Sequence, residues 1–211
     1  MSRPLSRWIA RATSLLIDAL AYYLARPVER QSPSNADPLS LAAVLVRGDV
    51  LLTDGNTRMA ALVRRVTRST WSHVSMYVGP LEDGPDPRCV IEADVKAGVR
   101  AVRLSQFKGQ RIRILRATGL GEAERGRLAE WVVGRVGHGY DLALAWTLAR
   151  RFLRLPLPSL FPGAESATRF ICSSLLAQAF LLVGYPIAQD YSSVTPSDFE
   201  AAPVFEVVKP T

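Results

Sequence analysis

Between residues 50 and 117 the chain reverses over distances too short for crossover helices, and that restricts most of its strands to antiparallel pairing. Short β-rich runs are predicted at Val50 to Thr53, at 72–78, at 89–95, at 98–103 and in "QRIRILRA" (110–117). The segments "PLEDGPDPR" (80–88) and "VKAG" (95–98) supply turns, and a helix over about 57–66 follows the first strand. Beyond residue 120 the period changes. "GEAERGRLAEWVVGRV" (121–136), "YDLALAWTLARRFL" (140–153) and "FICSSLLAQAFLLVG" (170–184) read as helices, the last one buried and ending at Gly184 before Pro186. The expected class is α+β, an antiparallel sheet or small barrel packed against helices.

The 211 residues suit one domain with an N-terminal extension: 1–38 as helix and linker, 39–211 as the body. Residues 5–26 fit a helix with Arg7, Arg11, Asp18 and Arg26 on one face and Trp8, Ile9, Leu15, Leu16 and Leu20 on a wide apolar arc. Such a helix suits a membrane interface as well as it suits packing on the body. "RPVERQSPSNADP" (26–38) reads as a linker. Arg3, Arg7 and Arg11 ahead of an apolar stretch imitate a secretory signal, but Asp18 interrupts it and no clear small-x-small cleavage site stands directly before Arg26-Pro27, so no cleavage is expected. No apolar run reaches 18 residues, so no transmembrane span is expected, and the expected location is cytoplasmic or peripheral to a membrane.

The formal charge of +7 favours anionic partners. Its arginines are scattered rather than interleaved with aromatics, so no nucleic-acid partner is expected. The chain lacks a nucleophile elbow, a phosphate-cradling loop, a dinucleotide fingerprint, H-E-x-x-H and C-x-x-C. Its two histidines and two cysteines are not paired at ligand spacings, so neither metal nor other cofactor is expected.

What remains is thiol chemistry, which needs a base, a group that orients the base, and donors for an oxyanion. Cys172 opens a predicted helix, where free N–H groups and the dipole favour a thiolate, and the N–H groups of Cys172 and Ser173 are candidate oxyanion donors. A buried structural thiol is the competing reading of the same position. If 72–78 alternate as a strand, His73, Ser75 and Tyr77 share a face opposite the aliphatic Val74, Met76 and Val78. In the next strand Val90, Glu92 and Asp94 share a face, so a hairpin brings Glu92 or Asp94 beside His73, and spacing leaves both open. Cys89 has no helix terminus to stabilise its anion, and His138 lies in a glycine-flanked loop that reads as surface.

Taken in order, "GDVLL" (48–52), "TRSTWSHV" (67–74), "VIEA" (90–93), "GV" (98–99), "YD" (140–141), "CSSL" (172–175) and "TPSDF" (195–199) resemble the permuted papain-like amidases, the YiiX/YebB-like branch of the NlpC-type cysteine hydrolases, also labelled lipo-like proteins. The likeness spans roughly residues 40–205. It implies a circularly permuted papain-like fold in which the histidine and acid strands precede the nucleophile helix. It also implies Cys172 as nucleophile, His73 as base and Glu92, rather than Asp94, as the third polar residue. The expected activity is cleavage of an amide or ester through a thioester, on a small-molecule, peptide or lipid substrate, with peripheral membrane contact through residues 5–26. A catalytically silent lipid- or peptide-binding module and a cell-wall peptide amidase are the rival expectations.

Overall fold

The structure, a computed structural model, describes residue 19 and residues 22–28, 37–140, 169–189 and 194–209. Most of the expected N-terminal helix and linker, all but the first residue of the expected helix over 140–153, and the proline-rich loop 155–166 lie outside the described residues.

The first described helix, α1 (Pro38–Val44), starts where Asp37 caps it: the Ser40 N–H donates to Asp37 Oδ2 at 2.9 Å, and Pro38 occupies the first turn. β1 (Val50–Thr53) follows, then α2 (Arg58–Thr67), capped by the Thr57 hydroxyl accepting from the Ala60 N–H. Next come β2 (His73–Tyr77), β3 (Arg88–Asp94), β4 (Gly98–Arg103), a 3-10 turn (Leu104–Phe107) and β5 (Ile112–Ala117). The helical part then begins with α3 (Glu122–Val133); β6 (Gly139–Tyr140) and β7 (Arg169–Phe170) pair in parallel and lead into α4 (Cys172–Leu182). α5 (Pro196–Ala201) and β8 (Phe205–Val208) close the described chain.

The main sheet has the order β4-β3-β2-β1-β5-β8, every neighbour antiparallel, and among the described strands β4 and β8 do not meet. Of the two architectures expected, the open sheet is the one formed. The strand at its far edge, β8, was not foreseen. Neither was α1, whose residues after Pro38 read only as an apolar stretch.

Alternation along the strands sends Val50, Leu52, Val74, Met76, Ile91 and Ala93 to a core shared with α3, α4 and α5. Leu51, Val90, Val102 and Ile114 pack instead with Leu41 and Leu45 of α1 and with Leu104 and Phe107 of the 3-10 turn. The face carrying His73, Ser75 and Tyr77, expected to be polar, is therefore covered as well, and Ser75 is wholly buried. Antiparallel sheets can leave one face wet, but this one has helical cover on both.

Two polar clamps hold the ends of the central strands. Asp49, wholly buried before β1, takes Arg116 Nε on Oδ1 at 2.9 Å and Nη2 on Oδ2 at 2.7 Å, while its Oδ2 also accepts the Val46 N–H. At the opposite end of β1, Arg64 Nη1 donates to the carbonyls of Asp54 and Gly55 at 2.8 and 2.6 Å, and the Ser72 N–H donates to the Thr53 carbonyl. That second clamp fixes the connection entering β2 at His73. Among the described residues no helix is long and apolar enough to cross a membrane.

Candidate active site

His73 is the first residue of β2, Glu92 lies in β3 and Cys172 is the first residue of α4, which packs against both strands. In the β2–β3 ladder Ser75 faces Glu92, so Glu92 is the diagonal neighbour of His73 on one face. A side chain of glutamate length crosses that gap. Glu92 Oε2 stands 3.2 Å from His73 Nε2. Asp94, the other acid that alternation allowed, is taken by the turn after β3: its Oδ1 accepts from the N–H groups of Lys96 at 3.0 Å and Ala97 at 2.8 Å. The short carboxylate caps the turn and the long one reaches the ring.

With Nε2 facing Glu92, the ring nitrogen left for the thiol is Nδ1, and ring and thiol lie close enough for each to shift the other's charge. Three consecutive residues at the start of α4 divide the work of holding the sulfur there. Ser174 accepts the Ile171 N–H on its hydroxyl at 3.2 Å, capping a helix whose N-cap side chain cannot do so. Ser173 donates its hydroxyl to the Val194 carbonyl at 2.6 Å, tying the helix start to the segment that enters α5. Cys172 is left beside the His73 ring, with the N–H groups of Val74 and Ser173 near enough to favour its anion. Ser173 N–H is one of the two donors expected for an oxyanion; the Val74 N–H was not foreseen.

Charge at the site is set by competition between burial and pairing. Burial alone pushes the Cys172 thiol up, but the His73 charge, its hydrogen bond and the two N–H donors outweigh it, so the thiol lies below its ordinary range. Burial likewise pushes His73 down; the negative charge of Cys172, its hydrogen bond and then Glu92 reverse that, and the imidazole lies above its ordinary range. For Glu92, burial pushes up while His73 and Arg100 pull the carboxyl below the usual range. Opposite shifts in two touching groups favour a thiolate–imidazolium pair. The pair is not sealed: the His73 side chain is 23% exposed and Cys172 is 8% exposed.

Arg100 is a member of the site that the sequence reading missed. It stands directly opposite Glu92 in the β3–β4 ladder and donates Nε and Nη2 to Glu92 Oε1 at 3.0 and 2.8 Å, with Asp94 Oδ2 3.7 Å from Nη2. Each oxygen of Glu92 thus has its own partner, which fixes the carboxylate plane against the imidazole. The signal was present in the short turn, since pairing Asp94 with Gly98 necessarily sets 92 opposite 100.

The remaining candidates lie elsewhere. Cys89 is buried near the other end of β3, and burial pushes its thiol up, away from reactivity. His138 offers its backbone rather than its ring to the site's surroundings: its carbonyl accepts the Val99 N–H at 2.8 Å, while Nδ1 is bonded to the Arg135 carbonyl. A Cβ at Gly98 would lie 2.2 Å from that carbonyl oxygen, and the φ there is +68°, so this approach requires glycine.

No curated protein matches the chain. A solved structure, the crystal structure of the metalloprotein YiiX from Escherichia coli O157:H7, superposes with a TM-score of 0.57 at 18% identity, covering 78% of this chain and 97% of that one. This likeness establishes the permuted fold expected above. Among the described residues no three His, Cys, Asp or Glu side chains group to hold a metal ion, and Glu92 already shares its oxygens between an imidazole and a guanidinium. That donor set does not fit a cation. The model of the family described as permuted papain-like amidase enzymes, YaeF/YiiX, matches residues 44–153, a stretch that holds His73, Glu92 and Arg100 and stops short of Cys172. Matched over more than half of its 211 residues, the chain belongs to the permuted papain-like amidases of the YaeF/YiiX, C92 family.

Proposed function

We propose that the protein cleaves an amide or ester bond through a thioester on Cys172, with His73 as base and Glu92 as the residue that orients it. The observation that carries this is the contact of thiol and imidazole at the first turn of α4, with the far ring nitrogen held by a carboxylate. In this reading the Cys172 thiolate attacks the carbonyl carbon and the electron pair moves to oxygen, where the N–H groups of Cys172 and Ser173 receive it. His73 then gives its proton to the leaving amine or alcohol as the tetrahedral intermediate collapses to a thioester. Water, deprotonated by the now neutral His73, attacks the thioester and returns the proton to the pair. Arg100 touches none of the reacting atoms; it positions Glu92.

For substrate we favour an acyl group presented at a membrane. The support is sequence pattern: the arginine-lined apolar arc of residues 5–26, the excess of positive charge and the apolar stretch from Leu155 to Phe161. The mechanism is tested by incubating the protein with acylated candidates, quenching in acid and reading the mass of the peptide containing Cys172. A mass increase equal to the acyl group, absent from the Cys172→Ala variant, is expected. Full conversion of substrate with no adduct at any time after rapid quenching, or an adduct on another residue, overturns the thioester. Co-sedimentation with phosphatidylglycerol vesicles tests the membrane part: binding is expected to fall at least about fivefold when residues 1–30 are removed, because the loss takes both apolar area and headgroup charge. Equal binding with and without them counts against it.

A further inference from the structure

The end of the sheet that carries His73 is bordered by cations that no carboxylate pairs with among the described residues. Thr53, paired with His73 across β1 and β2, leads to Arg58 at the start of α2; Asp94, at the matching end of β3, leads to Lys96. The segment 22–28 is tied to the first of these connections by backbone: Pro27 bridges Thr57, the Val28 N–H donates to the Asn56 carbonyl at 2.6 Å, and the Arg58 N–H donates to the Arg26 carbonyl at 3.0 Å. Its two tyrosines reach both connections. The Tyr23 ring carries the Arg58 guanidinium 4.1 Å from its centroid, and the Tyr22 ring carries the Lys96 ammonium at 4.3 Å and the Arg26 guanidinium at 5.2 Å.

A ring quadrupole orients a cation without cancelling its charge. Among the described residues no carboxylate forms an ion pair with Arg26, Arg58 or Lys96. On β3, Glu92 is engaged by His73 and Arg100, and Asp94 by the turn N–H groups. Tyr22 and Tyr23 are 56% and 52% exposed, so this strip of rings and cations faces solvent. Three oriented, uncompensated cations at the same sheet end as a buried thiolate are suited to an anion: a guanidinium takes a phosphate or carboxylate in bidentate fashion and an ammonium adds a point charge. They also offset the repulsion that a thiolate exerts on an anionic reactant.

We propose that Arg26, Arg58 and Lys96, oriented by Tyr22 and Tyr23, bind the phosphate or carboxylate of an anionic acyl substrate beside the His73 end of the sheet. The inference rests on the hydrolase reading of Cys172 and deepens it by giving the substrate a negative charge.

Two measurements on the full chain test it. Iodoacetate and iodoacetamide alkylate the same thiol and differ by one negative charge, so the ratio of their rates at Cys172 reports the local potential. At low salt the Arg58→Gln/Lys96→Gln double variant is expected to lower the iodoacetate rate roughly fivefold and to leave the iodoacetamide rate unchanged, the latter showing an intact site. A ratio that the double variant does not change overturns the proposal. Calorimetric titration with inorganic phosphate and with dihexanoylphosphatidate below its micellar concentration needs no working thiol. It therefore decides the anion site even if Cys172 proves inert to both reagents, a result that would sink the hydrolase reading alone. Dihexanoylphosphatidate is expected to bind more tightly than phosphate, and both at least about fivefold more weakly to the double variant. Equal affinity for the two overturns the assignment to an acyl substrate in favour of free phosphate, and binding unaffected by the substitutions, or none, overturns the site.

Discussion

Replacing Cys172 by alanine is expected to remove turnover, by roughly 10,000-fold or more in the hydrolysis of a p-nitrophenyl ester, while unfolding in urea shifts little or toward greater stability. The two halves of that expectation come from one feature. Ionising Cys172 in place is opposed first of all by its burial, and the thiolate exists only because His73 and two N–H groups outweigh the burial. A desolvated ion pair stabilises a fold weakly or not at all, since each charge has been taken from water. Alanine removes that buried anion and leaves His73 with Glu92 as its partner, so no charge is stranded, at the cost of one lost sulfur's packing, about 1 kcal/mol. The competing reading, a small hydrophobe in a core helix, predicts the reverse: unchanged turnover and stability lowered by about that amount. Retention of more than a tenth of the activity by the alanine variant ends the case for Cys172 as nucleophile. The neighbouring serines provide the contrast. Ser173 and Ser174 are also buried, but their hydroxyls hold Val194 and Ile171 in place, so their loss acts through the geometry of the helix start.

How much of this site could be read before the fold was known depends on how far each residue's partner lies along the chain. The alternation of residues 73–78 and the position of Cys172 at a helix start are local properties, and both are found in the structure as expected. The choice between Glu92 and Asp94 is also nearly local. It turns on the turn "VKAG", where an aspartate one residue before the turn finds two free N–H groups at once and is withdrawn from the ring. Spacing alone left that choice open, and only the family resemblance chose Glu92. Arg100 needed the register of one hairpin, which the turn length supplies. By contrast β8 pairs Val207 with Leu115, and nothing in "FEVV" announces a partner some ninety residues away. The second core was hidden for a related reason: Leu51, Val90 and Ile114 share their face with the polar Thr53, Glu92 and Arg116, and the α1 helix that covers them begins within what read as the end of a linker. Local chemistry was legible; what lies over each face was not.

The pH dependence of Cys172 alkylation should separate a paired thiolate from an isolated one, and the signs follow from the site. The thiolate forms as pH rises through a thiol value held below its ordinary range of about 8.5, so iodoacetamide reactivity is expected to be high well below pH 8. The imidazolium is lost as pH rises through a histidine value held above its ordinary range of about 6.5, so turnover, which needs a proton for the leaving group, is expected to decline only on the alkaline side of that value. Removing His73 takes away the influences that outweigh burial, leaving two N–H donors against it. In His73→Ala the alkylation midpoint is therefore expected to move upward, past that of an exposed thiol, and the rate at pH 7 to fall about 100-fold. Glu92→Gln keeps the shape but removes one of the two anions that hold the imidazolium, so the alkaline decline is expected to begin at lower pH with turnover reduced about tenfold, while Cys172 alkylates with nearly unchanged rate at neutral pH. The Arg100→Ala variant should resemble Glu92→Gln in its loss of turnover but not in the direction of the shift: with the guanidinium gone the carboxylate's charge is less compensated and the imidazolium is held more firmly, so the decline moves to higher pH. Parallel profiles for the wild-type protein and His73→Ala would leave Cys172 as an ordinary buried thiol and remove the pair on which the mechanism stands.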